Sequence, residues 1–333
     1  MPIAASASTT EAGRGEAPRV SVILPAYNAA ATLPAAIASV LGQSLGDLEV
    51  IVADDGSRDG TAEKAAAIAR RDGRVRVLPA ARNSGAAAAR NRALAAARGD
   101  WLALLDADDR MAPGRLARLV ALGEAERAEV VADNLGLVAD DGEVLGVALR
   151  PDDPLFAGPV TAAAFVRRNL FLTGGFKPGY LKPLFRRDFV ERYGLRQDEG
   201  LRIAEDFHFL LDCLLAGARC VVDPEPGYLY RQRPASLSRG LGLDDLRRLA
   251  AANHAVLARP EARGDRALSR ALRRRQWSVD LNVDFQRFVE ALKARRMLAA
   301  GAIFARHPDL TPFLAYYGLE SLRKRLPGGR RLV

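Results

Sequence analysis

The sequence predicts an α/β protein with a doubly wound, mostly parallel sheet and a helical extension at its C-terminus. Short β-branched runs alternate with helical segments over roughly the first 135 residues, which is the pattern of right-handed strand–helix–strand crossovers. Polar residues follow several of these runs, at the point where a strand should meet its loop. After Asp244 the pattern changes to long segments rich in Ala, Leu and Arg, which predicts helices alone.

Strands and helices alternate regularly in the first part of the chain. The predicted strands are RVSVILPAYN, LEVIVADDGS, RVRVLPA, WLALLDADD and EVVADNLGLV. The predicted helices cover 32–43, 58–71, 85–99 and 113–128, with Pro113 in the first turn of the last one. This order predicts that the strands end at one common edge of the sheet.

The second part of the chain is more mixed. We expect a hairpin near Gly142, a helix over 161–169, an amphipathic helix in IAEDFHFLLDCLLAG and one or two strands in ARCVVDPEPGYLYR. The helices after Asp244 extend to about Arg325 and break near ARHPDLTP. We therefore divide the chain into a tail expected to be disordered (1–18), a main domain (19–240) and a basic helical region (241–333).

The net charge of +9 is concentrated in the basic helical region. From Leu241 onward there are 19 Lys and Arg against 9 Asp and Glu, a net of +10, so the first 240 residues carry a net of −1. Three interpretations stay open: a packed extension with solvated arginines, attraction to anionic lipid headgroups, and nucleic-acid binding. No nucleic-acid motif is present, so we expect no nucleic-acid partner.

Other features exclude further classes of protein. No apolar run reaches the roughly 18 residues of a membrane-spanning helix, and the first residues do not resemble a secretory signal. Cys213 and Cys220 lie in apolar segments and are expected to be small buried hydrophobic residues. Neither G-x-G-x-x-G after the first strand nor G-x-x-x-x-G-K-[ST] is present, which argues against dinucleotide and P-loop folds.

Three carboxylates follow the fourth predicted strand: Asp106, Asp108 and Asp109. Hard cations such as Mg²⁺ or Mn²⁺ prefer oxygen ligands and often take only one or two from protein carboxylates. Asp106 and Asp108 fit such a site. The alternative is that these residues only begin the next helix, and Asp109 is the one that this alternative explains best.

The second and third strands are also followed by polar residues. Asp54 and Asp55 stand at the end of the second strand, where they either accept hydrogen bonds from a ligand or help to form a turn. Asn83 and Arg90 come from RNSGAAAARN, and an arginine early in a helix can face a base or phosphate or simply be solvated. Neither motif decides between these possibilities alone.

A second acidic pair, Glu205 and Asp206, begins the amphipathic helix. Capping is one explanation. The other is that Asp206 lies beside a cleft and serves as a general base for an attacking hydroxyl. Two acidic centres in separate halves of a domain fit the transfer of a group from an activated nucleotide.

The motifs taken together resemble those of family 2 inverting glycosyltransferases of the GT-A fold, a Rossmann-like architecture. The segments VSVILPAYNAAATL, VIVADDGSRDGT, RNSGAAAARN, LLDADD and AEDFHFLL occur in the family's order between about Val20 and Gly240. YLYRQRPASLSRG resembles a stretch of the bacterial exopolysaccharide members that build succinoglycan-like polymers. The resemblance makes 19–135 the nucleotide-binding half and 136–240 the acceptor half.

The resemblance also implies roles for single residues. The donor nucleotide would be held by Pro25, Tyr27, Asp54, Asp55, Asn83, Arg90 and Asp106, with Arg231 and Arg233 at the leaving diphosphate. Asp108, together with Asp106, would bind Mg²⁺ or Mn²⁺. Asp206 would be the catalytic base and Glu205 would position the acceptor, with further acceptor contacts from Lys182, Arg187 and His208; for His208, packing is the alternative.

These roles imply a metal-dependent, single-displacement hexosyl transfer that inverts the anomeric carbon. The donor would be a nucleotide sugar such as a UDP-sugar, and the acceptor a saccharide or a lipid-linked saccharide. The processive Q-x-x-R-W signature is absent, so we expect one sugar per event. We expect a cytoplasmic protein that can contact the inner, anionic face of the membrane. A nucleotidyltransferase making nucleotide sugars and a non-catalytic scaffold are the alternatives.

Overall fold

The computed structural model describes residues 17–171, 175–232 and 242–311. Within these residues the chain forms one nine-stranded sheet and eleven α-helices. The strands are β1 (Val20–Ala26), β2 (Leu48–Asp54), β3 (Val75–Pro79), β4 (Trp101–Leu104), β5 (Arg110–Met111), β6 (Val130–Val138), β7 (Val144–Val147), β8 (Leu184–Arg186) and β9 (Cys220–Arg231).

The helices connect the strands in the first half and continue alone after β9. They are α1 (Leu33–Leu41), α2 (Thr61–Ala69), α3 (Ala86–Ala96), α4 (Arg115–Ala125), α5 (Ala162–Arg168), α6 (Arg187–Arg192), α7 (Glu205–Leu215), α8 (Leu243–Ala258), α9 (Pro260–Gly264), α10 (Arg266–Lys293) and α11 (Met297–Arg306). The predicted alternation of strand and helix is confirmed, as is the helical extension.

The sheet is mostly parallel, with an antiparallel strand at its centre. Its order is β3-β2-β1-β4-β8-β6-β9-β5, and β7 pairs with β6 as the predicted hairpin. The first four strands are parallel to one another, whereas β8 is antiparallel to both β4 and β6. A three-residue strand from the second half of the chain, β8, therefore lies between β4 and β6. The expected boundary at 135/136 falls inside β6.

The parallel strands are mostly apolar because helices cover both faces of this part of the sheet, although β2 also contains Glu49 and Asp54. Every residue of β2 and β4 is buried. Contact between α4 and β4 is close at Gly123, where an added Cβ would lie 2.4 Å from the Trp101 ring. Helix α4 begins at Arg115, after Gly114 in the left-handed region, so Pro113 precedes the helix instead of lying in its first turn.

The helical extension shares the main hydrophobic core. Val256 of α8 and Leu268 and Leu272 of α10 are buried in the same cluster as the sheet residues. Helix α10 packs against α5 and α8. None of the described helices is long and apolar enough to cross a membrane.

Two predictions concern residues outside the described ranges. The tail expected to be disordered lies almost wholly within residues 1–16, and the basic C-terminal segment LRKRLPGGRRLV lies beyond 311.

Candidate active site

A cleft of about 870 Å³ opens at the carboxyl ends of the parallel strands. It is lined from both halves of the main domain, as the converging strand ends predict. Eleven of the residues singled out from the sequence line it: Pro25, Tyr27, Asp55, Asn83, Arg90, Asp106, Asp108, Lys182, Glu205, Asp206 and Arg231.

Two cations and three carboxylates form a closed network at the floor of this cleft. Arg90 of α3 donates to Asp106 at 2.6 Å and to Glu205 at 2.9 Å, and its Nη1 lies 3.2 Å from Asp206. Lys182, just before β8, contacts Asp206 at 2.5 Å and Asp106 at 2.9 Å. Both cationic side chains are only 5% exposed. The network therefore joins the end of β4 to the first turn of α7, which are the two acidic centres predicted from the sequence.

The ionisation of this network follows from its pairing. Burial opposes the charge on Asp106, but Lys182 and Arg90 outweigh it and hold the pKa of Asp106 below its usual range. Burial likewise opposes the charges on Lys182 and Arg90, and the neighbouring carboxylates nevertheless raise the pKa of both. Burial, followed by the charge of Asp206, raises the pKa of Glu205. Glu205 is thus the carboxyl group of this cluster that ionises less readily than in water.

Asp109 is a buried structural carboxyl group and does not begin α4. It accepts hydrogen bonds from the Tyr228 hydroxyl at 2.7 Å and from the Arg231 backbone N–H at 2.8 Å. The same Tyr228 oxygen accepts from the backbone N–H of Asp106 at 3.1 Å. Burial and the charges of Asp106 and Asp108 raise the pKa of Asp109 to about 8. Asp109 and Tyr228 therefore fix the loop that presents Asp106 and Asp108.

The two aspartates after β2 have different surroundings. Asp55 lines the cleft, and its Oδ2 accepts from the backbone N–H groups of Ser84 at 2.9 Å and Gly85 at 2.8 Å. Asp54 is buried beneath the loop, where its carboxylate accepts from Ser57 N–H at 3.2 Å. Asp54 does not line the cleft, so its expected direct contact with the nucleotide is not supported by its position.

Three other predicted site residues need comment. Arg187 pairs with Glu191 and donates to the carbonyl of Gly99, which precedes β4. The Arg187 side chain therefore lies at the amino end of β4, whereas the cleft lies at the carboxyl ends of the parallel strands. His208 is buried against Phe207, and burial lowers its pKa to about 3, so it is a packing residue. The expectation of acceptor contacts from these two residues is wrong on this geometry. Arg233 lies outside the described residues.

The existing ion pairs of the carboxylates indicate which of them can bind a divalent cation. Both oxygens of Asp106 are engaged by Arg90 and Lys182, so Asp106 fits a metal only if these pairs open. Asp108 is partly exposed and lines the cleft. Among residues 17–171, 175–232 and 242–311 no three His, Cys, Asp or Glu side chains converge to hold a metal. The residues present thus fit a cation that is bound through Asp108 and completed by substrate oxygens and water.

Some site residues were not found from the sequence. Gln197 donates to Asp206 at 2.9 Å. The Asn91 side chain donates to the backbone carbonyl of Gln197 and accepts from its backbone N–H, each at 2.9 Å. No periodicity or motif marks Gln197. YLYR in β9 contains Tyr228 and Tyr230, which the alternation of a strand places on the same face.

The fold and this cleft define a GT-A glycosyltransferase. Residues 21–189 match the family model of "Glycosyl transferase family 2". The chain is 39% identical over 243 residues to succinoglycan biosynthesis protein ExoO of Rhizobium meliloti (strain 1021), covering 73% of this chain and 69% of that protein. It is 33% identical over 297 residues to ExoU of the same organism, covering 88% and 84%. The chain therefore belongs to glycosyltransferase family 2, as the motif order predicted.

Solved structures share the fold at lower sequence identity. S. aureus TarS 1-349 in complex with UDP-GlcNAc superposes with a TM-score of 0.63 at 19% identity, covering 87% of this chain and 92% of that chain. Mannosyltransferase PcManGT from Pyrobaculum calidifontis in complex with GDP-Man and Mn²⁺ gives a TM-score of 0.58 at 20% identity, covering 93% and 81%. These matches confirm the predicted fold.

Proposed function

We propose that the protein transfers a hexosyl group from a nucleotide sugar, a UDP-sugar, to a hydroxyl of a saccharide or lipid-linked saccharide, with inversion, in exopolysaccharide synthesis. The observation that carries this proposal is the network at the cleft floor, in which Asp206 shares Lys182 with Asp106. In support, the Asp206 carboxylate lies next to the end of β4, which is where the proposal puts the nucleotide diphosphate. The names of the two succinoglycan relatives support the polymer class.

Different residues of the cleft would have different roles in such a transfer. Tyr27, Asn83 and the loop held by Asp55 line the part of the cleft where the base and ribose would bind. Asp206 would take the proton of the acceptor hydroxyl while its oxygen forms the bond to the anomeric carbon. The bond from that carbon to the diphosphate breaks at the opposite face, which turns an α-linked donor into a β-linked product. Gln197 would keep the Asp206 carboxylate in position through its hydrogen bond, and Glu205 would position the acceptor.

Charge on the departing diphosphate has to be offset for this step. Arg90 and Lys182 are buried cations in the cleft and act electrostatically at short range. Asp108 would hold Mg²⁺ or Mn²⁺, whose positive charge stabilises the leaving group when it is bound. A nucleotidyltransferase is a poorer explanation, because that chemistry expects a basic, glycine-rich loop after β1, where this chain has PAYNAAATL.

The helical extension offers a surface for the expected contact with an anionic membrane. Arg266, Arg270, Arg273 and Arg274 lie at exposed positions on one face of α10, and Trp277, 50% exposed, continues that face. We call these five residues the α10 basic stripe. In the described part of the chain none of its arginines pairs with a carboxylate. Positive charge beside an exposed tryptophan matches a surface of anionic lipid headgroups.

A screen of nucleotide sugars tests the proposed function. UDP-sugars should raise the melting temperature, and more so with Mn²⁺, because a ligand that binds only the native state stabilises it. The sugar that gives the largest shift is then used to measure UDP release and the anomeric configuration of the product by NMR. An absence of any shift with all nucleotide sugars, or an α-linked product from an α-linked donor, would contradict the proposal.

A further inference from the structure

Arg275 is a buried cation in the middle of α10. It is 2% exposed, and its guanidinium lies 3.6 Å from the centroid of the Phe207 ring. Its Nε donates to Asn253 Oδ1 at 3.2 Å, and its Nη1 donates to the backbone carbonyl of Asn169. In the described ranges no carboxylate forms an ion pair with it. Removing an unpaired charge from water is costly, so stability alone is a weak reason for this residue.

One partner of Arg275 is next to the proposed base. Phe207 follows Asp206 in the first turn of α7, and its ring stacks on Phe165 of α5 with ring centroids 5.1 Å apart. The Phe207 side chain is therefore held by contacts with both α5 and the guanidinium of α10. A ring held in this way fixes the orientation of the first turn of α7, and with it the carboxylate of Asp206.

The other partner of Arg275 supports the segment that leads to Lys182. The carbonyl of Asn169 accepts from Arg275, and its side-chain Oδ1 accepts from the backbone N–H of Gly179 at 2.7 Å. Gly179 packs so closely that an added Cβ would lie 2.8 Å from Asn169 Oδ1 and 3.0 Å from Phe207 Cβ. Three residues later the chain reaches Lys182, whose amine contacts Asp206. The Arg275 guanidinium therefore contacts both residues that support the Lys182–Asp206 pair, which are Phe207 and Asn169.

We propose that Arg275 is a positioning residue through which the helical extension sets the geometry of Asp206 and Lys182. The inference rests on the proposed function for its catalytic consequence, whereas the structural link stands on the contacts alone. It assigns the extension a part in the reaction besides packing. For the base and ribose part of the cleft it predicts no direct effect, since neither Tyr27 nor Asn83 is among the residues that Arg275 contacts in the described part of the chain.

Arg275→Met tests this link, with Leu272→Ala as the matched control. Leu272 is buried one turn earlier in α10, and its truncation should lower the melting temperature while Arg275 keeps its hydrogen bond to Asn169 and its contact with Phe207. Arg275→Lys keeps the charge but loses the planar fork and carries the test if Arg275→Met does not fold. Folded protein is counted in each preparation by titration with UDP.

Hydrogen–deuterium exchange tests the structural link, and steady-state kinetics test the positioning role. In hydrogen–deuterium exchange, peptides covering 176–182 and 204–210 should exchange faster in both Arg275 variants than in Leu272→Ala. In steady-state assays with the UDP-sugar found by the screen, kcat per UDP-binding site should fall about 10- to 100-fold, which is a larger change than that in the Kd for UDP, because Lys182 also faces the diphosphate.

Equal exchange in the Arg275 variants and Leu272→Ala would overturn the structural link. A kcat per site that matches the control would overturn the positioning role. Should the wild-type protein release no UDP from any UDP-sugar, the proposed function fails, and the exchange measurement still decides whether Arg275 holds the two segments.

Discussion

Replacing Arg90 by Met should destabilise the protein in a pH-dependent way. Arg90 lies within 3.2 Å of Asp106, Glu205 and Asp206, and it is 4% exposed. Without it, Lys182 is the one cation that the described residues place close to this group of carboxylates. Breaking a buried ion pair by removing one partner costs about 3–5 kcal/mol, because a charge is left uncompensated. We therefore expect the free energy of unfolding at pH 7 to fall by about this amount.

The pH dependence follows from the directions of the pKa shifts. Burial and Asp206 raise the pKa of Glu205 and Arg90 opposes that shift, so the mutation raises it further. A carboxyl group whose folded pKa is raised costs stability above its unfolded pKa, and that cost disappears as the pH falls and the group is protonated in both states. Asp106, held ionised partly by Arg90, contributes stability that is lost only as the pH falls below its ordinary pKa of 3.8, so this contribution is the same at pH 7 and pH 5. The difference in the free energy of unfolding between variant and wild type should therefore be largest near pH 7 and shrink towards pH 5, as Glu205 is protonated.

Urea unfolding at several pH values between 5 and 8 measures both quantities. Arg187→Met is the control, because Arg187 forms a half-exposed pair with Glu191 at 2.9 Å. Such pairs contribute about 1 kcal/mol or less, and the effect should hardly depend on pH. Arg187→Met should also leave UDP release unchanged. A loss for Arg90→Met that is below about 1 kcal/mol, or that is the same at pH 5 and pH 7, would refute the reasoning.

Three further predictions concern the metal, the packing and the extension. Asp108→Ala should weaken the Mn²⁺-dependent part of the UDP-sugar thermal shift, while the shift without metal stays; an unchanged Mn²⁺ effect would exclude Asp108 as a ligand. Gly123→Ala should lower stability by about 1–3 kcal/mol in thermal unfolding, since its Cβ would overlap the Trp101 ring, and a neutral effect would mean that α4 can shift freely. Vesicles with anionic lipid should change tryptophan fluorescence through Trp277, because Trp101, the other of two tryptophans, is fully buried. Zwitterionic vesicles and Arg270→Gln should weaken that change, and equal signals from both vesicle types would contradict an electrostatic contact.

The sequence was most informative where one physical pattern governed the structure. Apolar runs with helices between them predicted β1 to β4 and their common carboxyl edge, because a strand buried on both faces has to be mostly apolar. Acidic residues at that edge were recognised because the start of a helix explains one carboxylate after a buried strand but not three. Asp106, Asp108, Glu205 and Asp206 accordingly line the cleft where they were expected.

The remaining features depend on contacts between distant segments, which local patterns do not encode. Strand β8 has three residues, too few for a periodicity, and its position beside β4 brings in Lys182. Asp109 was assigned to a helix start because its partner, Tyr228, is 119 residues away. The acceptor roles of Arg187 and His208 came from the resemblance, and the direction of β8 and the burial of α7 place both side chains outside the cleft.

The assignment of Asp206 as the catalytic base is the centre of this account, and Asp206→Asn tests it most directly. The amide keeps the size of the side chain and can still bind Lys182 through its oxygen, but it does not accept the proton of an acceptor hydroxyl. We predict that the variant binds UDP as the wild type does and that its acceptor-dependent UDP release falls by about 100- to 10,000-fold. UDP release at the wild-type rate by a folded, UDP-binding Asp206→Asn protein would contradict the account.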